Sequence, residues 1–151
     1  MTMSKTRLFA LLTLGALTLT GCQNDTEMTY QDYMEMSVDE QIDYEQEQQS
    51  IITLAVTDLS TIENIIGYDF SIETGFQIEI DEGYILSKDI NERTQEHYQA
   101  RCEKLYEYFT SKDIDHVRII LRVKDFDNIN SSYVGWFAYD NERGFEYEIK
   151  E

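Results

Sequence analysis

The sequence predicts an α+β fold: an N-terminal helix, short strands, and one long amphipathic helix packed on an antiparallel sheet that ends in a three-stranded meander. Apolar residues recur every three to four positions along two segments, as they do on one face of a helix. Near the C-terminus they alternate with polar residues, as in a strand with one buried face. A hydrophobic fraction of 42% in 151 residues suffices for a core.

The first predicted helix begins at a capping-box pattern, in which Ser37 caps the helix and Glu40 reaches back to it. Apolar residues at helical spacing continue this helix from Ile51 to just before Gly67. The competing prediction is a strand over 51–56, followed by a short second helix. Both alternatives stay open at the level of sequence.

Short strands are predicted in the middle of the chain, over 68–72, 76–80 and 84–86. The turns between them each contain a glycine, at Gly75 and Gly83. We therefore expect three short strands before the long helix.

The long amphipathic helix is predicted from the capping pair Asp89 and Glu92 to about Lys112, and its surface separates into three faces. The apolar face contains Cys102, whose thiol is therefore expected to be buried. The acidic face consists of Glu92, Glu96, Glu103 and Glu107. The basic face consists of Arg93, His97, Arg101 and Lys104.

The last third predicts an antiparallel meander of three strands. Over 117–124, apolar residues alternate with mainly basic ones, which places the two kinds on opposite faces of a strand. Two further strands follow over 133–139 and 145–149, joined by short polar turns. The helix over 89–112 is expected to pack across these strands.

The charge of the chain excludes one class of partner. The net charge is −18, and no lysine or arginine occurs between Arg7 and Lys88, whereas residues 23–87 contain sixteen acidic residues. Nucleic-acid binding depends on clustered lysine and arginine. We therefore expect no DNA or RNA partner.

The N-terminus has the three parts of a secretory leader: basic residues at Lys5 and Arg7, an apolar run over 8–19, and small residues before a cysteine. Leu19-Thr20-Gly21-Cys22 resembles the lipobox of bacterial lipoproteins. The resemblance implies cleavage after residue 21 and lipidation of Cys22. An ordinary secretory leader, in which this cysteine has no special role, is the alternative.

The resemblance also implies an organisation and a location. Residues 1–21 are expected to be the signal peptide, residues 22–36 the lipidated cysteine with an acidic tether, and residues 37–151 a single α+β domain. The lipid bilayer is the first expected partner, reached through the acylated Cys22. Gln23 stands where an aspartate would retain a lipoprotein in the inner membrane. The expected location is therefore extracytoplasmic: the outer membrane where one exists, otherwise the outer face of the plasma membrane.

Few residues suggest catalysis, and no cofactor is expected. His97 and Cys102 lie about 140° apart around one helix, too far for a thiol–imidazole pair. The segment 125–130 has oxygen ligands of the kind that calcium prefers but lacks the EF-hand pattern, so an ordinary polar turn is the favoured interpretation. Two separate histidines do not suggest a zinc site.

The favoured functional hypothesis is a non-catalytic binding role, in which an anchored acidic domain captures a cationic protein or peptide as an inhibitor, immunity or assembly factor. The candidate contact surface is the acidic helix face already defined; a simply solvated helix face is the alternative. A second hypothesis is an envelope enzyme that acts on glycan through paired carboxylates. A third idea is that the acidic stretch 23–50 folds back onto the basic helix face and onto Arg118 and Arg122.

Overall fold

The computed structural model describes residues 28–127 and 132–150. The chain divides into two compact units, Met1–Tyr44 and Glu45–Glu151. Within the described residues, no helix combines the length and the apolar character that crossing a lipid bilayer requires.

The described part of the first unit is helical. Helix α1 spans Tyr30–Glu35, inside the predicted acidic tether, and begins at a capping box formed by Thr29 and Asp32. The predicted capping box before helix α2 is confirmed: the backbone N–H of Ser37 donates to the Glu40 carboxylate at 2.9 Å, and the Glu40 N–H donates to the serine hydroxyl at 3.3 Å. Local side-chain capping thus defines both helix starts.

Helix α2 spans Val38–Leu59, so the competing prediction of a strand over 51–56 is wrong. The expected continuation to Gly67 is also wrong. The Ser60 hydroxyl donates to the Thr57 carbonyl at 2.8 Å and the Thr61 hydroxyl donates to the Asp58 carbonyl at 2.9 Å, satisfying carbonyl groups of the last turn. The apolar residues beyond this turn belong to a strand.

The second unit contains one five-stranded sheet with the strand order β1-β2-β3-β4-β5. The strands are β1 Ile65–Ser71, β2 Gly75–Ile85, β3 Val117–Asp125, β4 Tyr133–Asp140 and β5 Gly144–Ile149. The α+β class and the antiparallel β3-β4-β5 meander are confirmed. The expectation of a wholly antiparallel sheet needs correction, because β2 and β3 pair in parallel. The long connection between them contains a helix, which is what parallel pairing requires.

Strand β2 replaces two of the predicted strands, because 76–80 and the first two residues of 84–86 belong to one continuous element that ends at Ile85. The predicted turn at Gly83 is a β-bulge: Asp81 pairs with Arg122 and Gly83 with Val123, so Glu82 is the extra residue. Gly83 has a φ of +82°, which glycine adopts at little cost. Because the extra residue shifts the alternation of the two faces, Tyr84 lies on the same face as Asp81, and both side chains are close to Lys124.

Helix α3 spans Glu92–Thr110. Its N-cap is Asn91 rather than the predicted Asp89: the Asn91 side-chain oxygen accepts from the Thr94 N–H at 3.0 Å. Both positions carry a capping residue type, and the short 3-10 helix Ser87–Asp89 precedes the true start.

The core lies between one face of the sheet and the helices α2 and α3. The predicted inward face of β3 is confirmed, since alternate residues from Val117 to Val123 are at most 2% exposed. Tyr98 of α3 stacks on the fully buried Phe137 of β4, with ring centroids 4.1 Å apart. Cys102 is buried, as predicted. The opposite face of the sheet is therefore where charged side chains collect.

Candidate functional site

The predicted acidic face of α3 is largely solvent-exposed. Glu92, Glu96 and Glu107 are exposed, and their carboxylates form no ion pair or side-chain hydrogen bond with another described residue. Glu103 is half-buried and accepts a hydrogen bond from the Gln99 amide at 2.9 Å. Three of the four predicted residues thus present unpaired negative charge.

The predicted basic face of α3 is not a uniform surface. The Arg101 guanidinium donates from Nη1 to Glu63 at 2.8 Å and from Nε to Glu82 at 2.7 Å. These bonds raise the pKa of Arg101, through Glu63 above all. Arg101 therefore ties α3 to the β2 bulge and to the turn after α2, and it is unavailable to a partner.

The outer face of the sheet contains ion pairs between adjacent strands. Arg122 of β3 donates to Glu79 of β2 at 2.9 Å, and Lys124 donates to Asp81 at 2.8 Å. The hydrogen bond from Arg122 holds the pKa of Glu79 below its usual range. Such cross-strand pairs stabilise neighbouring strands.

A third group on this face joins β3 to β4 and β5. Arg118 forms ion pairs with Asp140 and with Glu146, the latter at 2.8 Å, and its guanidinium lies 5.8 Å from the Trp136 ring centroid. Arg122 is paired with a carboxylate of β2, so carboxylates of the sheet engage both Arg118 and Arg122. These are two of the residues onto which the acidic stretch 23–50 was hypothesised to fold back. The fold-back of the acidic stretch onto the basic helix face stays a prediction.

An aromatic cluster at one end of the outer face was missed at the level of sequence. Tyr84 and Phe126 are in ring contact at 5.6 Å, and the Lys124 ammonium lies 5.7 Å from the Tyr84 ring and 5.1 Å from the Tyr133 ring. All three rings are exposed, Phe126 to 61%. The register across the β2 bulge brings these rings together, and periodicity alone does not reveal that register.

A cleft of about 420 Å³ lies beside this cluster, between the end of β2 and the first turns of α3. Its walls are mainly aromatic and aliphatic, from Tyr84, Ile85, Leu86, Ile90 and Tyr98. The remaining lining residues are Asn91, Arg93, Thr94 and His97. None of the described side chains that line it belongs to an aspartate or a glutamate. The described side chains of the cleft thus include no pair of carboxylates of the kind that the glycan-enzyme hypothesis needs.

The residues considered for other chemistry have structural partners. Asp125 accepts from the Ser87 hydroxyl at 2.7 Å and from the Asp127 N–H at 3.2 Å, and Asp127 also pairs with Lys88. This arrangement fits the polar-turn interpretation, while residues 128–130 lie outside the described part of the chain. Burial raises the pKa of the Cys102 thiol to about 12, which suppresses the reactive thiolate.

Comparison with known proteins gives no relative: no family model matches the chain, and neither a curated protein nor a solved structure shows significant similarity to it.

Proposed function

We propose that the protein is a lipid-anchored extracytoplasmic lipoprotein with a non-catalytic binding role, and that its acidic surface captures a cationic protein or peptide. The proposal has two parts, an anchor and a binding surface. The lipobox pattern at residues 19–22 motivates the anchor, although those residues lie outside the described part of the chain.

The anchor is tested by labelling the full chain with a radioactive fatty acid in bacterial cells. Cys22→Ala is expected to abolish the label and to release the protein from the membrane fraction, because acyl chains on this residue supply the membrane affinity. Cys102→Ala is the matched control, since it removes the chain's other cysteine, which is buried. Label that survives in Cys22→Ala would contradict the anchor.

The binding surface rests on one observation: among the described residues of the domain, most cations form internal ion pairs, while several exposed acids do not. Arg101, Arg118 and Arg122 all form ion pairs within the second unit. The exposed acids Glu92, Glu96 and Glu107 of α3, by contrast, form no ion pair with another described residue. Unpaired, exposed carboxylates attract cationic partners and accelerate their association.

Binding is tested by titrating the full-length protein in lipid nanodiscs with a ten-residue oligolysine peptide at low and high salt. Glu96→Gln with Glu107→Gln is expected to weaken binding about two- to thirtyfold, because each of the two lost exposed ion pairs is worth about 0.2–1 kcal/mol. The matched control is Glu73→Gln with Glu148→Gln, which removes two exposed carboxylates elsewhere.

Two outcomes would contradict the proposed surface. Salt-independent binding would remove the electrostatic mechanism, because exposed charges are screened by salt. An equal loss in the test and control variants would show attraction by net charge alone, without a defined contact face on α3.

A further inference from the structure

We propose that the cleft between β2 and α3 binds a small amphipathic anion: a carboxylate with an apolar aromatic or short alkyl body. This site goes beyond the proposed function, because its ligand has the opposite charge to the partner expected at the acidic surface. Its volume of about 420 Å³ lies in the range of small-molecule sites.

The apolar walls of the cleft are fixed by the core behind them. Ile85 is only 7% exposed and belongs to the core cluster, and Tyr98 stacks against the buried Phe137. Leu86 is 49% exposed and Tyr84 is 43% exposed, so part of the apolar lining faces solvent. A ligand body inserted here would cover that surface without a rearrangement of the core.

The charge of the cleft is unusual for this chain. Arg93 lines the cleft. The other arginines in the described part of the chain all form ion pairs, whereas Arg93 forms none with another described residue. His97, one turn further along α3, lines the cleft as well. With no carboxylate among the described side chains of the lining, and with no ion pair of its own, the guanidinium can form paired hydrogen bonds to an incoming carboxylate.

Helix stability does not explain the position of Arg93. The residue is second in α3, which spans Glu92–Thr110, so its positive charge lies at the positive end of the helix dipole. An anion bound there would be favoured by the guanidinium and by the helix end together. Within the described residues, the other arginines occupy positions where neighbouring carboxylates account for them.

The test uses three probes on the purified full-length protein: 3-phenylpropionate, its neutral analogue 3-phenylpropanamide, and propionate, which lacks the ring. Binding is followed by the methyl NMR shifts of Leu86 and Ile90. The aryl carboxylate is expected to bind about tenfold more tightly than either comparison probe, because both its charge and its ring contribute.

Arg93→Gln is expected to abolish the preference for carboxylate over amide, reducing that ratio from about tenfold to about one. It should leave the melting temperature unchanged or slightly higher, because the residue is exposed and opposed by the helix dipole. Lys104→Gln is the matched control: it removes another exposed cation of α3 that has no ion pair with a described residue, outside the cleft.

The control variant should keep the tenfold preference. Equal binding of carboxylate and amide to the unaltered protein would overturn the proposal, as would an equal loss of preference in Lys104→Gln. Methyl shifts confined to residues outside the cleft, or no shifts with the aryl carboxylate, would overturn it too.

Discussion

Replacing Arg101 with methionine is expected to be the most destabilising single change among the charged residues of the second unit. The Arg101 side chain is 25% exposed, and its partners Glu63 and Glu82 are 15% and 16% exposed. Methionine preserves much of the apolar stem but leaves two poorly solvated carboxylates without their cation. A hydrogen bond to a charged group contributes about 1.5–3 kcal/mol to stability, and partial solvation of the two remaining carboxylates offsets part of its loss. We expect a loss of about 2–4 kcal/mol in the free energy of unfolding.

The measurement is urea unfolding at pH 7, followed by circular dichroism, for the unaltered chain, Arg101→Met, Glu63→Gln and the double variant. The two single changes share one interaction, so the double variant should lose less than their sum by about 1 kcal/mol or more. Arg143→Met is the control: its side chain is 56% exposed and lies 4.0 Å from Asp140, so it should cost under about 0.5 kcal/mol. The reasoning would be refuted if Arg101→Met also lost less than about 0.5 kcal/mol in the free energy of unfolding. It would equally be refuted if the loss in the double variant equalled the sum of the losses in the two single variants.

Three further predictions concern packing, thiol chemistry and acid stability. Gly135→Ala should destabilise by about 1–3 kcal/mol in the same urea assay, because a Cβ there would lie 2.1 Å from the Glu148 carbonyl oxygen. Gly67→Ala, also in a strand, should change stability by less than about 1 kcal/mol, since its Cβ would be 3.9 Å from its nearest neighbour. Alkylation of Cys102 by iodoacetamide at pH 8 should be at least about a hundredfold slower in the folded chain than in urea, because burial raises the pKa of the thiol to about 12. Peptide mass spectrometry would measure both rates. The pKa of Glu79 is lowered in the folded chain, so its carboxylate contributes stability above the ordinary carboxyl pKa. That stability is lost as the pH falls through the pKa of the folded state. Removing its partner with Arg122→Gln should therefore flatten the decline in melting temperature below about pH 5.

The parts of the fold that depend on local pattern were predictable. The capping box at Ser37 and the inward face of β3 are each determined by residues within a few positions of one another. The burial of Cys102 follows equally from its place among apolar residues on a helix face. Regular spacing was therefore sufficient for these elements and for much of the core, although it did not locate the end of α2.

The parts that depend on long-range pairing were not predictable. Parallel pairing of β2 with β3 joins residues about 40 positions apart, and no local signal distinguishes it from an antiparallel arrangement. The Glu82 bulge looked like an ordinary glycine turn, so the cluster of Tyr84, Phe126 and Tyr133 could not be foreseen. The cleft depends on the same bulge and on the segment before α3, and its residues are separate in sequence.

The charge pattern connects the fold with the proposed roles. Arg118 and Arg122 alternate with apolar residues along β3, and the sequence could not show whether they would meet carboxylates of the sheet or of a partner. They meet the sheet, so their positive charge contributes to strand pairing and is not available for recognition. Charges without such partners need another explanation, and within the described residues these include the exposed acids of α3 and Arg93. The two proposed roles use charges of this kind, because these groups do not serve the fold through ion pairs with described residues.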